Sequence, residues 1–392
     1  MLNRVAIVAA KRTPMGAFQG ALASLTAPQL ASKTIQACLA VAPVPELVQE
    51  VRFGNVLQAG VGQAPARQAA VGAGLPKAVP CVTVNKVCGS GMQALMDQAS
   101  AIRLGLQDVT IAGGMESMSN APYYLPGARF GYRMNNKAVV DGLVNDGLWD
   151  PYNDVHMGHC AEVCATEYGF TREMQDEFAL ESLKRAQRAV KERTFQPEIV
   201  PVEYSKRGKT VTVDSDEQPG LLDAKKIPTL PTAFKKGGTI TAANASSISD
   251  GAAALVLMSE ARAKELGLQP LGFITGYASH AHDPLWFTTA PSFAVRKVLQ
   301  ALSLTVADVD LWEINEAFAV VTMAAMKDLG VSRDVVNVDG GACALGHPIG
   351  CTGARLVVTL LHELHRYGKK RGVATACIGG GEATAVVVER PE

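Results

Sequence analysis

No apolar stretch near the start of this sequence is long enough to cross a membrane or to form the core of a signal peptide. Val5 to Ala10 has only the length of a strand and runs straight into Lys11 and Arg12. Charge of one sign is also missing, since 37 Lys and Arg face 37 Asp and Glu. That balance argues against nucleic acid as the main partner, because a surface that tracks phosphates leaves a basic excess. It does not exclude an anionic small ligand, which needs only a local patch. There is no P-loop, and the glycines after the first apolar run form no G-x-G-x-x-G, so neither nucleotide fingerprint is present. The 8 cysteines are irregularly spaced, unlike the disulfide framework of a small secreted domain. In a reducing compartment they read as core thiols and, among them, catalytic ones. The final Arg390-Pro391-Glu392 carries no prenylation or peroxisomal signal. The expected location is the cytoplasm, or the mitochondrial matrix if a transit peptide has been removed.

What is present points to a soluble α/β enzyme. A chain of 392 residues is too long for one ordinary core and predicts two or three domains, or two fused halves with an insertion. Val5–Ala10 reads as a strand, Ala27–Leu39 as a helix and Glu50–Val56 as a strand. Pro80–Asn85 then enters Cys88-Gly89-Ser90-Gly91, Met92–Leu104 reads as a helix, and Val109–Ala112 as a strand ending in Gly113-Gly114. A similar order returns late in the chain. Val335–Val338 reads as a strand, Gly346-His347-Pro348-Ile349-Gly350 as a turn, Cys351–Tyr367 as a helix, and Val373–Ile378 as a strand closed by Gly379-Gly380-Gly381. Between the halves, prolines and charges increase, although Arg172–Lys191 keeps a helical period. From Lys184 to Lys236 there are 12 Lys and Arg against 7 Asp and Glu. That excess reads as a solvated face or as a surface that meets a phosphorylated ligand.

Four residues invite chemistry. Cys88 lies where a strand gives way to a helix, and a helix N-terminus favours thiolate; the alternative is an inert cysteine in a tight turn. His347, on a turn broken by glycine and proline, is placed either to activate a thiol or simply to hold structure. Cys377 closes a buried strand beside three glycines and reads as a small hydrophobe or as a group facing a ligand. Asn315 caps a helix or aims its amide at a reacting carbonyl. His156, His159, Cys160 and Cys164 have the types of zinc ligands. Two of them are adjacent, however, no second pair is near, and Cys160 and Cys164 fit one buried helix face, so no metal is expected.

Taken together, Asn85-Lys-Val-Cys-Gly-Ser-Gly-Met92, Ala112-Gly-Gly-Met-Glu-Ser-Met118, Asn315-Glu-Ala-Phe318, Gly346-His-Pro-Ile-Gly350 and Cys377-Ile-Gly-Gly-Gly381 resemble the thiolase family, in family order and over essentially the whole chain. The resemblance implies two similar α/β halves with mixed sheets between helices and an inserted loop domain. The implied division is residues 1–118 with 249–270, a CoA-binding loop domain over 119–248, and residues 271–392. It implies that Cys88 is acylated, and that His347 activates it and donates to the thioester oxygen together with a water held by Asn315. It implies that Cys377 is the acid/base at the substrate α-carbon, and that the N–H groups of Cys88 and Gly379 form a second oxyanion hole. Leu148, His156, Met157, Phe234, Ala242, Ser246 and Phe318 fall where the family contacts CoA.

The implied activity is acyl transfer, the reversible ping-pong condensation of two acetyl-CoA to acetoacetyl-CoA and CoA. The alternatives are a broad-range 3-ketoacyl-CoA thiolase of β-oxidation and a non-catalytic thiolase-like lipid carrier, which should have lost a reactive residue. A CoA thioester is the substrate and no permanently bound cofactor is implied. Potassium enters through likeness to mitochondrial-type acetoacetyl-CoA thiolases. Two departures stand against that: Gln218 lies where a tyrosine of the potassium site often stands, and Thr288 follows Phe287 where those enzymes resemble Phe-Pro. The implied partners are acyl-CoA substrates and further copies of the chain, as dimers paired into a tetramer.

Overall fold

The apolar run that opens the chain lies at the centre of the structure. In the computed structural model, which describes residues 2–391, Val5–Arg12 forms β1 and is paired antiparallel on both sides. The other long strands are β2 (Glu50–Gly54), β3 (Cys81–Val84), β4 (Val109–Ser117) and β5 (Ser249–Ser259). They are followed by β6 (Gly272–Ala281), β7 (Leu311–Ile314), β8 (Arg371–Ile378) and β9 (Glu382–Glu389). These nine make one path, β7-β8-β9-β6-β1-β5-β4-β2-β3, and the short strand Gly16–Ala17 pairs beside β5.

The repeat suggested by the glycine turns is visible in the ladder. In the first half β3 and β2 are parallel, β2 and β4 parallel, β4 and β5 antiparallel, and β5 and β1 antiparallel. In the second half β7 and β8 are parallel, β8 and β9 antiparallel, and β9 and β6 antiparallel. The predicted strand Val335–Val338 should complete this second set, but it does not form. Only Val336 bridges Trp312, after a 3-10 turn over Arg333–Val335. Asn337, in the left-handed region at φ 46°, replaces the ladder with its side chain. Its Oδ1 accepts from Ile314 N at 2.8 Å and its Nδ2 donates to Ile314 O at 2.9 Å. The first half brings a second correction. β4 does not stop at Gly113-Gly114 but runs on to Ser117, so the glycines mark close packing rather than an end.

The main helices are α1 (Ala27–Val41), α2 (Pro65–Gly72), α3 (Ser90–Arg103), α4 (Met157–Tyr168) and α5 (Arg172–Lys191), then α6 (Ala290–Ala301), α7 (Ala319–Leu329) and α8 (Ile349–Arg366). α3 and α8 pack on each other, and each also packs on strands of both halves. α8 is buried on all sides, from Ile349 through Leu364 with only His362 half-open, which marks a helix in a core and not on a surface. Leu356, Val357, Leu360, Leu361 and Leu364 are each worth about 1.5–3 kcal/mol of burial. Residues 119–248 carry α4, α5 and three short hairpins. This segment is tied to β1 by Arg12, which is fully buried and holds Asp216 at 2.7 and 2.9 Å and Glu198 at 2.5 Å.

Candidate active site

Cys88 sits on a tight turn between β3 and α3. Val87 just before it is held at φ 44°, a costly conformation for a β-branched residue. Side chains from the same motif compensate: Asn85 Oδ1 accepts from Val87 N at 3.0 Å, while Ser90 Oγ accepts from Lys86 N at 2.8 Å and donates to Val87 O at 2.6 Å. Lys86 forms an ion pair with Glu382, across to the turn that carries Gly379. The N–H groups of Gly379 and of Cys88 itself favour negative charge on the Cys88 sulfur.

The second half brings His347, Asn315 and Cys377 to the same place. His347 lies on the turn before α8, and its Nδ1 is 2.6 Å from Thr352 Oγ1. The Thr352 hydroxyl is also 3.0 Å from Pro348 O, and with its proton directed there it accepts from Nδ1–H. That leaves Nε2 as the free lone pair. Asn315 Nδ2 lies 3.4 Å from this Nε2, and Asn315 Oδ1 has no partner among the described residues. Glu316 anchors the Asn315 turn by accepting from Ser182 Oγ, Asn337 Nδ2 and Cys343 N. Cys377 is fully buried at the end of β8, close enough to Cys88 for the two thiols to feel each other's charge.

These groups open on a mainly apolar cavity of about 440 Å³ whose lining includes Cys88, His347 and Gly379. Leu148, His156, Met157, Phe234, Ala242, Ser246 and Phe318, named from the sequence, all line it too. Asn315 and Cys377 lie behind the lining. His156 caps α4. Its Nδ1 accepts from Gly158 N at 3.0 Å at the start of α4, and its ring stacks on Phe234 at 4.6 Å. Cys160 and Cys164 are buried on α4 among apolar side chains.

Residues 5–261 match the family model of the thiolase N-terminal domain, and residues 268–390 that of the thiolase C-terminal domain. The chain belongs to the thiolase family. It is therefore an acyltransferase. Acetyl-CoA acetyltransferase 2 of Arabidopsis thaliana is 55% identical over 389 residues, covering 98% of this chain and 96% of that protein. Acetyl-CoA acetyltransferase of Cupriavidus necator is 51% identical over 394 residues, covering 99% of this chain and all of the other. Among solved structures, the Bacillus anthracis acetyl-CoA acetyltransferase superposes with a TM-score of 0.97 at 43% identity, covering 100% of this chain and 99% of the other. The Acat5 thiolase from Ascaris suum, solved in complex with coenzyme A, gives 0.94 at 43% identity, covering 99% of this chain and 100% of the other.

In this thiolase the resting charges differ from the expectation of a thiolate at a helix end. Cys88 precedes Gly89, the cap of α3, and burial pushes its thiol up to about 11 against the two N–H donors. Part of its surface faces the cavity. Burial raises Cys377 well above the ordinary thiol value, with the neighbouring Cys88 adding to it. Burial, helped by the Arg355 charge, lowers His347 to about 3. The resting site is thus two thiols and a neutral imidazole.

Sequence reading missed Thr352, whose only signal was a hydroxyl five residues after His347 in the first turn of a buried helix. It also missed Ile349, Ala317 and Ser247, which line the cavity from within or beside the motifs already noted. Gln218 lines the cavity as well. Part of the basic excess counted over Lys184–Lys236 is not available to a ligand. Arg185 donates to the carbonyls of Arg333 and Val336, and Arg188 to that of Val338.

Proposed function

We propose that this thiolase is an acetyl-CoA acetyltransferase that makes and cleaves acetoacetyl-CoA through an acetyl group carried on Cys88. The observation that carries the reading is that Cys88 and His347 line one cavity, with Asn315 against His347 and Cys377 beside Cys88 behind that lining, from distant parts of the chain. In thiolysis, His347 Nε2 takes the Cys88 proton as the sulfur attacks the 3-keto carbon. The bond between C2 and C3 breaks, and the Cys377 thiol protonates C2, releasing acetyl-CoA. The charges left, an imidazolium and a Cys377 thiolate, attract one another, which offsets part of what burial costs each. A CoA thiol then attacks acetyl-Cys88 and gives its proton to Cys377, and the departing Cys88 sulfur recovers its own from His347. Condensation is the same path reversed.

The N–H groups of Cys88 and Gly379, which favour negative charge at the Cys88 sulfur, would serve the oxygen of an acyl group carried there as an oxyanion hole. Asn315, with Oδ1 unpartnered, is suited to orient a water beside His347 Nε2 for the second oxyanion. The pantetheine and acyl parts of CoA would lie along Leu148, His156, Met157, Phe234, Ala242, Ser246 and Phe318, with residues 119–248 as the CoA-binding unit. Lys235 and Lys236 follow Phe234 exposed, where phosphates would emerge. Met157, Phe287 and Phe318 pack together near the reactive groups and favour a short acyl chain. A tetramer is part of the same reading, supported by the exposed Phe130 and Met134, which a further copy would cover.

Incubation with acetyl-CoA should leave one acetyl group on the peptide containing Cys88, with none on Cys88→Ala, and acetoacetyl-CoA should be cleaved faster than longer 3-ketoacyl-CoAs. An unlabelled peptide in an active enzyme refutes the acyl-Cys88 route, and preference for long chains moves the protein to broad-range β-oxidation.

A further inference from the structure

One motif residue is left without a role in this chemistry. Glu116, in Ala112-Gly-Gly-Met-Glu-Ser-Met118 at the end of β4, is fully buried and does not line the cavity. Its two carboxylate oxygens accept four hydrogen bonds. Oε1 takes Asn55 Nδ2 at 2.6 Å and Leu57 N at 3.2 Å, and Oε2 takes Val56 N at 2.9 Å and Gly350 N at 3.0 Å. Every partner is a donor and none an acceptor, a set that an ionised carboxylate alone satisfies. A glutamine would turn its own N–H groups on two of these donors.

The Gly350 contact crosses from the first half to the second. Gly350 opens α8 and lies three residues after His347. Around it only glycine leaves room. A Cβ on Gly54 would meet Gly350 O at 2.6 Å, one on Gly91 would meet it at 3.1 Å, and one on Gly114 would overlap it. A Cβ on Gly350 would meet Met115 O at 2.6 Å and Glu116 Oε2 at 2.7 Å. Backbone is thus packed on backbone here, with one carboxylate supplying charge at the helix end. The loop held by the other three bonds, at Val56 and Leu57, packs with Ile349 in the apolar cluster against which Cys88 rests.

We propose that Glu116 is a positioning residue, which fixes the turn bearing His347 against the turn bearing Cys88 by holding Gly350 N–H and the 55–57 loop together. The inference rests on the roles given above to Cys88 and His347. Burial raises the Glu116 carboxyl to about 7, the N–H groups of Val56, Leu57 and Gly350 opposing this and Asp250 adding to it. The titratable groups facing it are Asp250 on β5, Cys88 on its turn and Cys351 on α8. Protonation as pH falls through that value puts a proton against a donor and loosens the grip. Turnover should therefore have an acid limb near neutrality that does not belong to His347.

The test compares wild type with Glu116→Gln over a pH series, with acetylation of wild-type Cys88 as the separate check on the underlying reading. Glu116→Gln should lower kcat about ten- to a hundredfold, the scale of a misplacement near 1 Å. KM for acetoacetyl-CoA should change little and the acid limb should disappear. Asn55→Ala, which removes one donor from the charged form at a position outside the cavity lining, should move the limb to higher pH, and it serves if Glu116→Gln does not fold. Wild type acetylated at Cys88, with kcat and limb unchanged in the variants, overturns the positioning role and leaves the reaction standing. Absence of acetyl-Cys88 in wild type overturns both.

Discussion

Thr352 decides which nitrogen of His347 carries the proton, and through that whether the imidazole can accept one from Cys88. Its hydroxyl stands 2.6 Å from Nδ1 and spends its own proton on Pro348 O. Thr352→Val keeps the shape and removes the acceptor, so the Nδ1–H form loses its support. The expected result is a fall in kcat of about ten- to a hundredfold, within the range of general-base catalysis, with unfolding little changed; equal rates would show that the tautomer is set elsewhere. The lowered value of His347 also carries a sign for stability. Unfolded chain takes up a proton near pH 6.5 while the folded imidazole resists it down to about 3. Its contribution is therefore present above pH 6.5 and is lost as pH falls below it. None of this could be seen in Gly-His-Pro-Ile-Gly. The motif shows that a histidine sits on a turn, but its weakened basicity comes from burial under atoms of other segments and then from the Arg355 charge.

At the scale of elements, the glycines of the motifs hold α8 in place. Gly54, Gly91, Gly114 and Gly350 come from β2, α3, β4 and α8 and meet at one point. Gly114→Ala would place a methyl on Gly350 O, a backbone atom that cannot rotate aside. Overpacking of this kind costs about 1–3 kcal/mol. Because α8 begins two residues after His347, lost activity should accompany the lower melting temperature; full activity with lower stability would separate the glycine contact from the site. The sequence pattern located these helices within one or two residues, since amphipathic and capping signals are local. It failed at Val335–Val338, where β-branched residues resemble a strand but Asn337 and the glycines beyond it turn the chain away after one bridge. It also passed over β5 and β6, whose pairing with β1 joins the halves: β5 is alanine-rich and buried on both faces, so it carries no alternation to read, and β6 is interrupted by glycine.

Across the whole molecule, the segment of residues 119–248 must stay registered on the sheet for its side of the cavity to face Cys88. The buried Arg12, gripping Asp216 and Glu198, is a charged tie between them. Asp216→Ala would leave a buried guanidinium half-satisfied and should cost about 3 kcal/mol or more in denaturant unfolding; a loss within experimental scatter would assign the docking to apolar contacts. The five motifs, their order, and the turn-helix-strand rhythm of both halves were determined by the sequence alone, because each depends on residues a few positions apart. The tertiary structure alone decided that Cys88 and Cys377 rest as thiols, that Nε2 of His347 is the free nitrogen, and that Glu116 ties the two halves at Gly350. These depend on desolvation and on donors brought in from far along the chain, and no spacing along the chain records them.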